Sequence, residues 1–193
     1  MQLWVGLGNP GPGYAMNRHN VGFMVADTLA DVYNFGPVQK KFLGWAQDGR
    51  IPAIGGGERI ILLKPATFMN ESGRSVGEAL RFYKLGMDAL TVFHDELDLA
   101  PFKVKVKQGG GTAGHNGLRS IDQHLGADFR RVRLGIGHPG HKDRVTGYVL
   151  GNYAKAELDP LADMLGAVSA EAEWLAKGDD ARFMSDVAVR SSI

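Results

Sequence analysis

The sequence predicts an α/β fold in which helices cover both faces of one sheet. Three observations favour this class. Short apolar stretches alternate with segments of helical periodicity, as in strand–helix units. The 193 residues match the usual size of one domain. Neither an internal repeat nor a dividing linker interrupts them. We therefore expect a single domain over residues 1–193, with residues 191–193 frayed at its end.

The first half of the chain supplies three strands and two helices. The apolar run that ends at Gly8 is typical of a buried strand. The three glycines at residues 55–57 predict a hairpin turn or loop tip rather than a domain boundary. Strands are expected over residues 3–7, 59–64 and 90–93, and helices over residues 21–32 and 76–86.

The second half continues the alternation. The Lys-Val-Lys-Val-Lys pattern of residues 103–107 predicts a strand with one face in solvent. A second alternating strand is expected over residues 131–136, and a short helix over residues 117–125. The longest helix is predicted over residues 157–177, because Pro160 lies near its first turn and an apolar stripe follows.

Composition excludes several classes of protein. Hydrophobic residues make up 44% and charged residues 22%, which excludes a disordered or fibrous chain. The absence of cysteine excludes disulfides, thiolate metal sites and a cysteine nucleophile. No targeting segment or membrane span is recognisable, so a cytosolic enzyme or binding protein is expected.

Charge is concentrated in one part of the chain. The net charge is only +1, which excludes a globally basic nucleic-acid binder. Residues 101–146, however, hold nine Lys/Arg against three Asp/Glu. This segment is a candidate phosphate-binding face, and the alternative is a solvated surface.

The first glycine motif matches a dinucleotide-binding fingerprint through Gly6, Gly8 and Gly11. A nicotinamide-dependent oxidoreductase is therefore one alternative. That fingerprint needs a helix N-terminus directly after the strand, whereas prolines crowd this position and helical periodicity begins only near Val21. The favoured interpretation is a rigid loop that holds Asn9 at the carboxyl end of a strand.

A histidine and a carboxylate are the candidate acid–base groups. His19 has the side chain most suited to a general base near neutral pH, although it could be an incidental neighbour of a helix cap at Asn20. Asp95 follows a predicted strand and could orient such a histidine. A metal site at His94, Asp95 and Glu96 is the alternative, but no metal-ligand spacing accompanies these residues.

Two further asparagines lie where loops meet helices. Asn70 and Asn116 could cap helices or donate to a substrate. Asn116 follows a dense glycine run over residues 109–114, which indicates a backbone that approaches a ligand closely. A histidine, a carboxylate and several asparagines without a nucleophile suggest attack by water on an activated carbonyl.

The motifs together resemble the bacterial-type peptidyl-tRNA hydrolase family. The resemblance runs through GLGNPGPGY, RHNVG, KPATFMNESG, HDELDL, GGGTAGHNGLRSI and RLGIGHPG, in order and over nearly the whole chain. It implies a monomeric, cytoplasmic enzyme with a twisted mixed sheet surrounded by helices. The implied reaction is hydrolysis of the ester that joins a peptide, or an N-blocked amino acid, to the 3′ end of tRNA. No metal, organic cofactor or membrane partner is implied.

The resemblance also implies roles for individual residues. His19 would be the catalytic base and Asp95 its orienting partner. The implied substrate-binding residues are Asn9, Tyr14, Met69, Asn70, His115 and Asn116. Lys107 and Arg133 match basic positions for the 5′ phosphate of tRNA, and the weaker candidates on the same stretch are Arg119, His138 and Lys142.

The sequence departs from the family pattern at three loop positions. Asn17 stands where many members have threonine, and Phe102 and Ala113 stand where many have glycine. An alternative within the same fold is a non-catalytic RNA-binding relative. Retention of His19, Asp95 and the three asparagines favours the enzyme.

Overall fold

The computed structural model describes residues 1–53 and 55–191, and within these ranges seven strands form one mixed sheet. Residues 192 and 193, in the segment predicted to fray, lie outside the described residues. The strands are β1 (Gln2–Gly6), β2 (Gln39–Lys41), β3 (Gly44–Ile51), β4 (Glu58–Pro65), β5 (Leu90–Glu96), β6 (Val104–Gln108) and β7 (Arg130–Gly135). The predicted α/β class is confirmed.

The strand order in the sheet is β2-β3-β4-β1-β5-β7-β6. The four central strands, β4, β1, β5 and β7, run parallel, and β3 and β6 pair antiparallel at the two sides. The loops that follow the four parallel strands therefore leave the sheet at one edge. Candidate sites in open α/β sheets lie at this carboxyl edge.

Helices cover both faces of the sheet. They are α1 (Val21–Val32), α2 (Ser72–Tyr83), α3 (Asn116–Leu125), α4 (Val145–Val149), α5 (Leu158–Ala170), α6 (Ala172–Lys177) and α7 (Asp180–Ser191), counted over the described residues. The core between the sheet and α1, α5, α6 and α7 includes Trp4 and Phe93, whereas the core under α2 and α3 includes Leu3 and Val92. Neighbouring strand residues thus enter opposite cores, as strand geometry requires.

The hairpin of β2 and β3 was not predicted. The β3 sequence contains Gly44, Asp48 and Gly49, which are poor strand formers, so its alternation is weak. Packing requires glycine at position 44, because a Cβ atom there would lie 2.4 Å from the Lys64 carbonyl oxygen. The glycines at residues 55–57 lie in the loop that joins β3 to β4, as predicted.

The predicted helix over residues 157–177 is wrong in one respect. It is broken at Glu171, whose dihedral angles of φ −102° and ψ 7° separate α5 from α6. The Tyr33 hydroxyl donates to the Ser169 carbonyl at the break. The following helix α7 was missed because only Phe183 and Val187 on it are buried, which leaves a short apolar stripe. No helix in the described ranges is long and apolar enough to cross a membrane.

Candidate active site

A cleft of about 840 Å³ opens at the carboxyl edge of the sheet. It brings together most of the predicted site residues: Asn9, His19, Met69, Asn70, Asp95, His115, Asn116, Lys107, Arg133, His138 and Lys142. Tyr14 and Arg119 are not among the lining residues. The Tyr14 ring instead packs edge-on against Phe68, with ring centroids 6.2 Å apart, and Phe68 lines the cleft.

Two histidines share the Asp95 carboxylate. His19 Nδ1 lies 2.8 Å from Asp95 Oδ2, and His115 Nε2 lies 2.7 Å from Asp95 Oδ1. His19 comes from the turn before α1, Asp95 from β5, and His115 immediately precedes α3. Three segments distant in sequence thus meet in a buried relay.

The proton positions in this relay follow from the backbone. His115 Nδ1 accepts hydrogen bonds from the Gly117 and Leu118 amides, so it carries no proton. The ring proton therefore lies on Nε2, which donates to Asp95. The second oxygen of Asp95 accepts from His19 Nδ1–H, which leaves the His19 Nε2 lone pair for the cleft.

Burial and charge act in opposite directions on these groups. Burial lowers the pKa of His19, but the Asp95 charge and hydrogen bond outweigh it, so the pKa lies above its ordinary value. Burial alone would raise the pKa of Asp95. The two histidines nevertheless hold the pKa of this carboxyl well below its usual range. Asp95 is therefore an ionised acceptor.

A network of asparagines fixes the loop after β1. The Asn20 side chain accepts from the Asn9 amide and donates to the Asn9 carbonyl, both at 2.9 Å. Asn9 Oδ1 in turn accepts from the Met69 amide at 2.7 Å. The amide nitrogen Nδ2 of Asn9 makes no hydrogen bond within the described residues, and the side chain lines the cleft. The Nδ2 group of Asn9 is therefore available as a hydrogen-bond donor in the cleft.

The helix-cap interpretations of Asn70 and Asn116 are wrong. Asn70 lies within a short 3-10 turn, and the residue that precedes α2 is Glu71. Asn116 is the first residue of α3, whose cap is His115. Both asparagines are exposed and line the cleft, so their side chains face the solvent of the cleft rather than a helix end.

Arg131 holds the glycine-rich loop of residues 109–114, a role that the sequence did not predict. Its guanidinium donates to the carbonyls of Gly110, Gly111 and Ala127. Arg131 is only 2% exposed, and burial lowers its pKa. The signal that could have identified it is its position on a predicted strand next to Val132, since a buried arginine needs partners for its guanidinium.

Arg133 lies in the same cleft and is held by a carboxylate. Its Nε lies 2.9 Å from Glu96 Oε1. Burial would raise the pKa of Glu96, yet the Arg133 hydrogen bond lowers it below its usual value. Lys107 pairs with Arg131 and Lys105 with Arg133 across β6 and β7, so all four side chains lie on one face of the sheet.

His94 is buried beside the relay. Its Nδ1 lies 2.9 Å from the Asp95 carbonyl oxygen, and its Nε2 has no partner among the described residues. Burial lowers the pKa of His94 to about 4. The alternative of a metal site at His94, Asp95 and Glu96 is not the arrangement found, because Glu96 pairs with Arg133 instead.

A different trio has ligand atoms close enough for a metal ion. Ligand atoms of His19, Asp95 and His115 lie within 4.8 Å of one another. Their two nitrogen–oxygen distances are those of hydrogen bonds. A metal ion would also have to displace the proton that the α3 amides place on His115 Nε2. The donor set therefore fits a proton relay better than a metal centre.

The family model for peptidyl-tRNA hydrolase matches residues 3–192. The chain belongs to the peptidyl-tRNA hydrolase family. The peptidyl-tRNA hydrolase of Novosphingobium aromaticivorans is 78% identical over 98% of this chain and 97% of that protein. That of Zymomonas mobilis is 64% identical over 98% of each. A crystal structure of peptidyl-tRNA hydrolase from Acinetobacter baumannii superposes with a TM-score of 0.89 at 41% identity, covering 97% of this chain and 94% of that one. These relatives all bear the name of the enzyme, and nothing in them supports a non-catalytic RNA-binding relative.

The structure explains why glycine suits two of the family's loop positions. Phe102 and Ala113 both have positive φ, 68° and 47°, where glycine is free of strain. The backbone strain at Phe102 is partly compensated, because its ring stacks on the Tyr153 ring with ring centroids 6.2 Å apart. At the third departure, Asn17 is buried and its Nδ2 donates to Asn152 Oδ1 at 2.7 Å.

Proposed function

We propose that His19 is the general base with which this chain hydrolyses the ester bond of peptidyl-tRNA, the reaction of its family. The substrate is a peptide or N-blocked amino acid esterified to the 3′ end of tRNA, and hydrolysis returns free tRNA to translation. The observation that carries the assignment is the hydrogen bond from His19 Nδ1 to Asp95, which turns the lone pair of Nε2 to the cleft.

The chemistry follows from this proton placement. His19 Nε2 removes a proton from water as the water oxygen attacks the ester carbonyl. Asp95 stabilises the imidazolium that forms, while His115 holds the Asp95 carboxylate in place. The tetrahedral intermediate collapses, the bond to the ribose 3′ oxygen breaks, and His19 returns the proton to that oxygen. The products are a peptide with a free C-terminal carboxyl group and the tRNA.

The asparagines supply the neutral donors and acceptors that a peptide needs. Asn9 Nδ2 and the exposed amides of Asn70 and Asn116 face one cleft and can bind the substrate's peptide groups and its developing oxyanion. Met69 forms the buried wall behind them. Tyr14 acts through Phe68, on which it packs. Both ring nitrogens of His115 are engaged within the protein, so we assign it to positioning Asp95 rather than to contacting substrate.

Lys107 and Arg133 are proposed to hold the 5′ phosphate of the tRNA. Both line the cleft together with His138 and Lys142, and Glu96 orients Arg133 through one nitrogen. Arg133→Ala should lower the slope of log affinity against log salt by about 0.7–0.9 for full-length substrate. A peptidyl ester of a short nucleotide without the 5′ phosphate should be hydrolysed normally. Equal losses on both substrates would contradict the phosphate contact.

The decisive assay compares blocked and free substrates. N-acetyl-aminoacyl-tRNA should release its amino acid, whereas aminoacyl-tRNA with a free α-amine should be spared. His19→Ala should reduce turnover of the blocked substrate by about 10²–10⁴-fold with an unchanged melting temperature. Lys155→Ala, an exposed residue outside the cleft, serves as the control. Turnover by His19→Ala at the wild-type rate would exclude the base assignment.

We further propose that the chain acts as one domain over residues 1–193, as a monomer and in the cytoplasm. One sheet carries the described strands, which supports a single domain. A cytoplasmic enzyme would meet peptidyl-tRNA where translation produces it. Sedimentation at assay concentration tests the monomer, and a dimer that dissociates with loss of activity would contradict it.

A further inference from the structure

A second groove, of about 670 Å³, lies beside the cleft. We call it the hairpin groove, because the turn between β2 and β3 forms one of its walls. Its other walls are the loop after β4 and the first turn of α2. The residues on which the argument rests are Pro10, Lys40, Lys41, Leu43, Trp45 and Arg74.

The hairpin groove and the cleft are lined by adjacent residues of two segments. Asn9 lines the cleft, and the next residue, Pro10, lines the groove. In the same way Phe68 lines the cleft and Thr67 lines the groove. Consecutive Cα atoms are about 3.8 Å apart, so the two depressions adjoin each other along both segments.

The order of strands gives this path a direction. Lys107 and Arg133 lie on β6 and β7, Asp95 on β5, Asn9 follows β1, and the groove lies at β3. A tRNA held at the β6–β7 side and cleaved at β5 therefore points its peptide towards β3. Three strand spacings of about 4.8 Å separate β5 from β3, roughly the length of four extended residues.

The lining of the hairpin groove is positively charged. Three of its lining residues are cations, and none is an acid. Arg74 is partly neutralised by Glu71, 3.4 Å away. Lys41 lies over the rings of Phe42 and Phe82, 5.2 and 4.7 Å from their centroids. Neither Lys40 nor Lys41 has an ion-pair partner within the described ranges, so both remain available to an acidic ligand.

The turn of the hairpin is strained where it meets the groove. Phe42 and Leu43, between the paired residues Lys41 and Gly44, have φ of 57° and 54°. Two-residue turns of this type normally carry Asn-Gly. Leu43 is nonetheless 42% exposed and lines the groove. Backbone strain that exposes an apolar side chain is typical of a binding surface.

We propose that the hairpin groove binds the peptide part of the substrate about four residues before the ester, and that it prefers acidic and apolar side chains there. The proposal rests on the proposed function, since it takes the cleft as the place of cleavage. The adjoining position of the groove and the cleft identifies the peptide as the occupant, and the cations of the groove set its preference for acidic side chains.

Three blocked substrates test the proposal. One is N-acetylalanyl-tRNA, which is too short to reach the groove. The other two are N-acetylated hexapeptidyl-tRNAs that share three C-terminal residues and carry either Glu-Leu-Glu or Lys-Leu-Lys before them. The variants are Lys40→Ala combined with Lys41→Ala, and Leu43→Asn, with Lys155→Ala as the matched exposed control.

The double lysine variant should raise KM for the acidic hexapeptide about fivefold with kcat unchanged, because two exposed ion pairs contribute modestly. Leu43→Asn should raise KM for both hexapeptides. KM for N-acetylalanyl-tRNA should stay within about twofold of wild type in all variants. An equal rise on all three substrates would show that the lysines contact tRNA, and no rise on the acidic peptide would show an unused groove. Either result overturns the proposal. Failure of the proposed function is distinguishable, because wild-type protein would then not hydrolyse N-acetylalanyl-tRNA.

Discussion

Replacing Asp95 with asparagine tests the placement of protons in the relay. The new side chain has one acceptor oxygen and one NH₂ donor. Because the α3 amides keep the proton of His115 on Nε2, the acceptor oxygen must face His115. The NH₂ group then faces His19 Nδ1, which can only accept. His19 is driven into the tautomer with its proton on Nε2, so it presents a donor to the cleft where a base is needed.

The size of the effect follows from the alternatives open to the variant. Turning the amide to restore the productive His19 tautomer opposes two donors at His115, and a buried unsatisfied donor costs about 1–3 kcal/mol. The imidazolium also loses the Asp95 charge. The equivalent change in serine hydrolases lowers kcat by about 10⁴ through the wrong tautomer. We expect a fall in kcat of about 10³-fold for Asp95→Asn, comparable to His19→Ala.

The assay is steady-state hydrolysis of N-acetyl-aminoacyl-tRNA as a function of pH. In the wild type, kcat/KM should rise through a His19 pKa above its ordinary value, because the base must be deprotonated. Asp95→Asn removes the two effects that raise this pKa and leaves burial, which lowers it. The pH at which residual activity rises should therefore fall. Asp163→Asn, on the exposed side of α5, is the control.

A double variant distinguishes the tautomer from a general loss of charge. With His115→Gln added to Asp95→Asn, the glutamine carbonyl can accept from the new amide. The amide oxygen is then free to accept from His19 Nδ1–H. The double variant should recover about tenfold in kcat over Asp95→Asn, although α3 loses a cap that contributes about 1 kcal/mol. Asp95→Asn activity within about fivefold of wild type, or no recovery in the double variant, would refute the reasoning.

Three further outcomes are expected. Asn116→Ala should lower kcat by about 10²-fold while the melting temperature stays unchanged, because His115 caps α3; a destabilised but fully active variant would contradict this. Arg131→Met should lower the free energy of unfolding by about 2–4 kcal/mol, because three carbonyls lose a charged donor, and denaturant titration measures it. His94 has its pKa lowered to about 4 in the folded protein, so the unfolded chain binds its proton first as pH falls. Wild-type stability should thus drop between about pH 6.5 and 4 by up to about 3 kcal/mol, and His94→Asn should lack this drop in urea titrations at a series of pH values.

The local hydrophobic pattern was sufficient to predict the central strands and the first three helices. The apolar runs that became β1, β4 and β5 are buried on both faces, so their hydrophobicity is visible without knowing their neighbours. The hairpin of β2 and β3 was not visible, because its register depends on pairing with β4 and on a close approach at Gly44. These two strands have little hydrophobic pattern of their own.

The sequence by itself determined which residue types are available at the carboxyl edge: His19, Asp95 and the asparagines all follow recognisable strands or loops. Only the tertiary structure decided their hydrogen-bond partners. Two α3 amides close to His115 in the sequence fix its proton. The sharing of Asp95, however, joins His115 and His19 to a residue that lies 20 and 76 positions away along the chain. Spacing along the chain carries no information about such contacts. Proton placement is a property of the hydrogen-bond network, which exists only once β5, α3 and the turn before α1 have packed together.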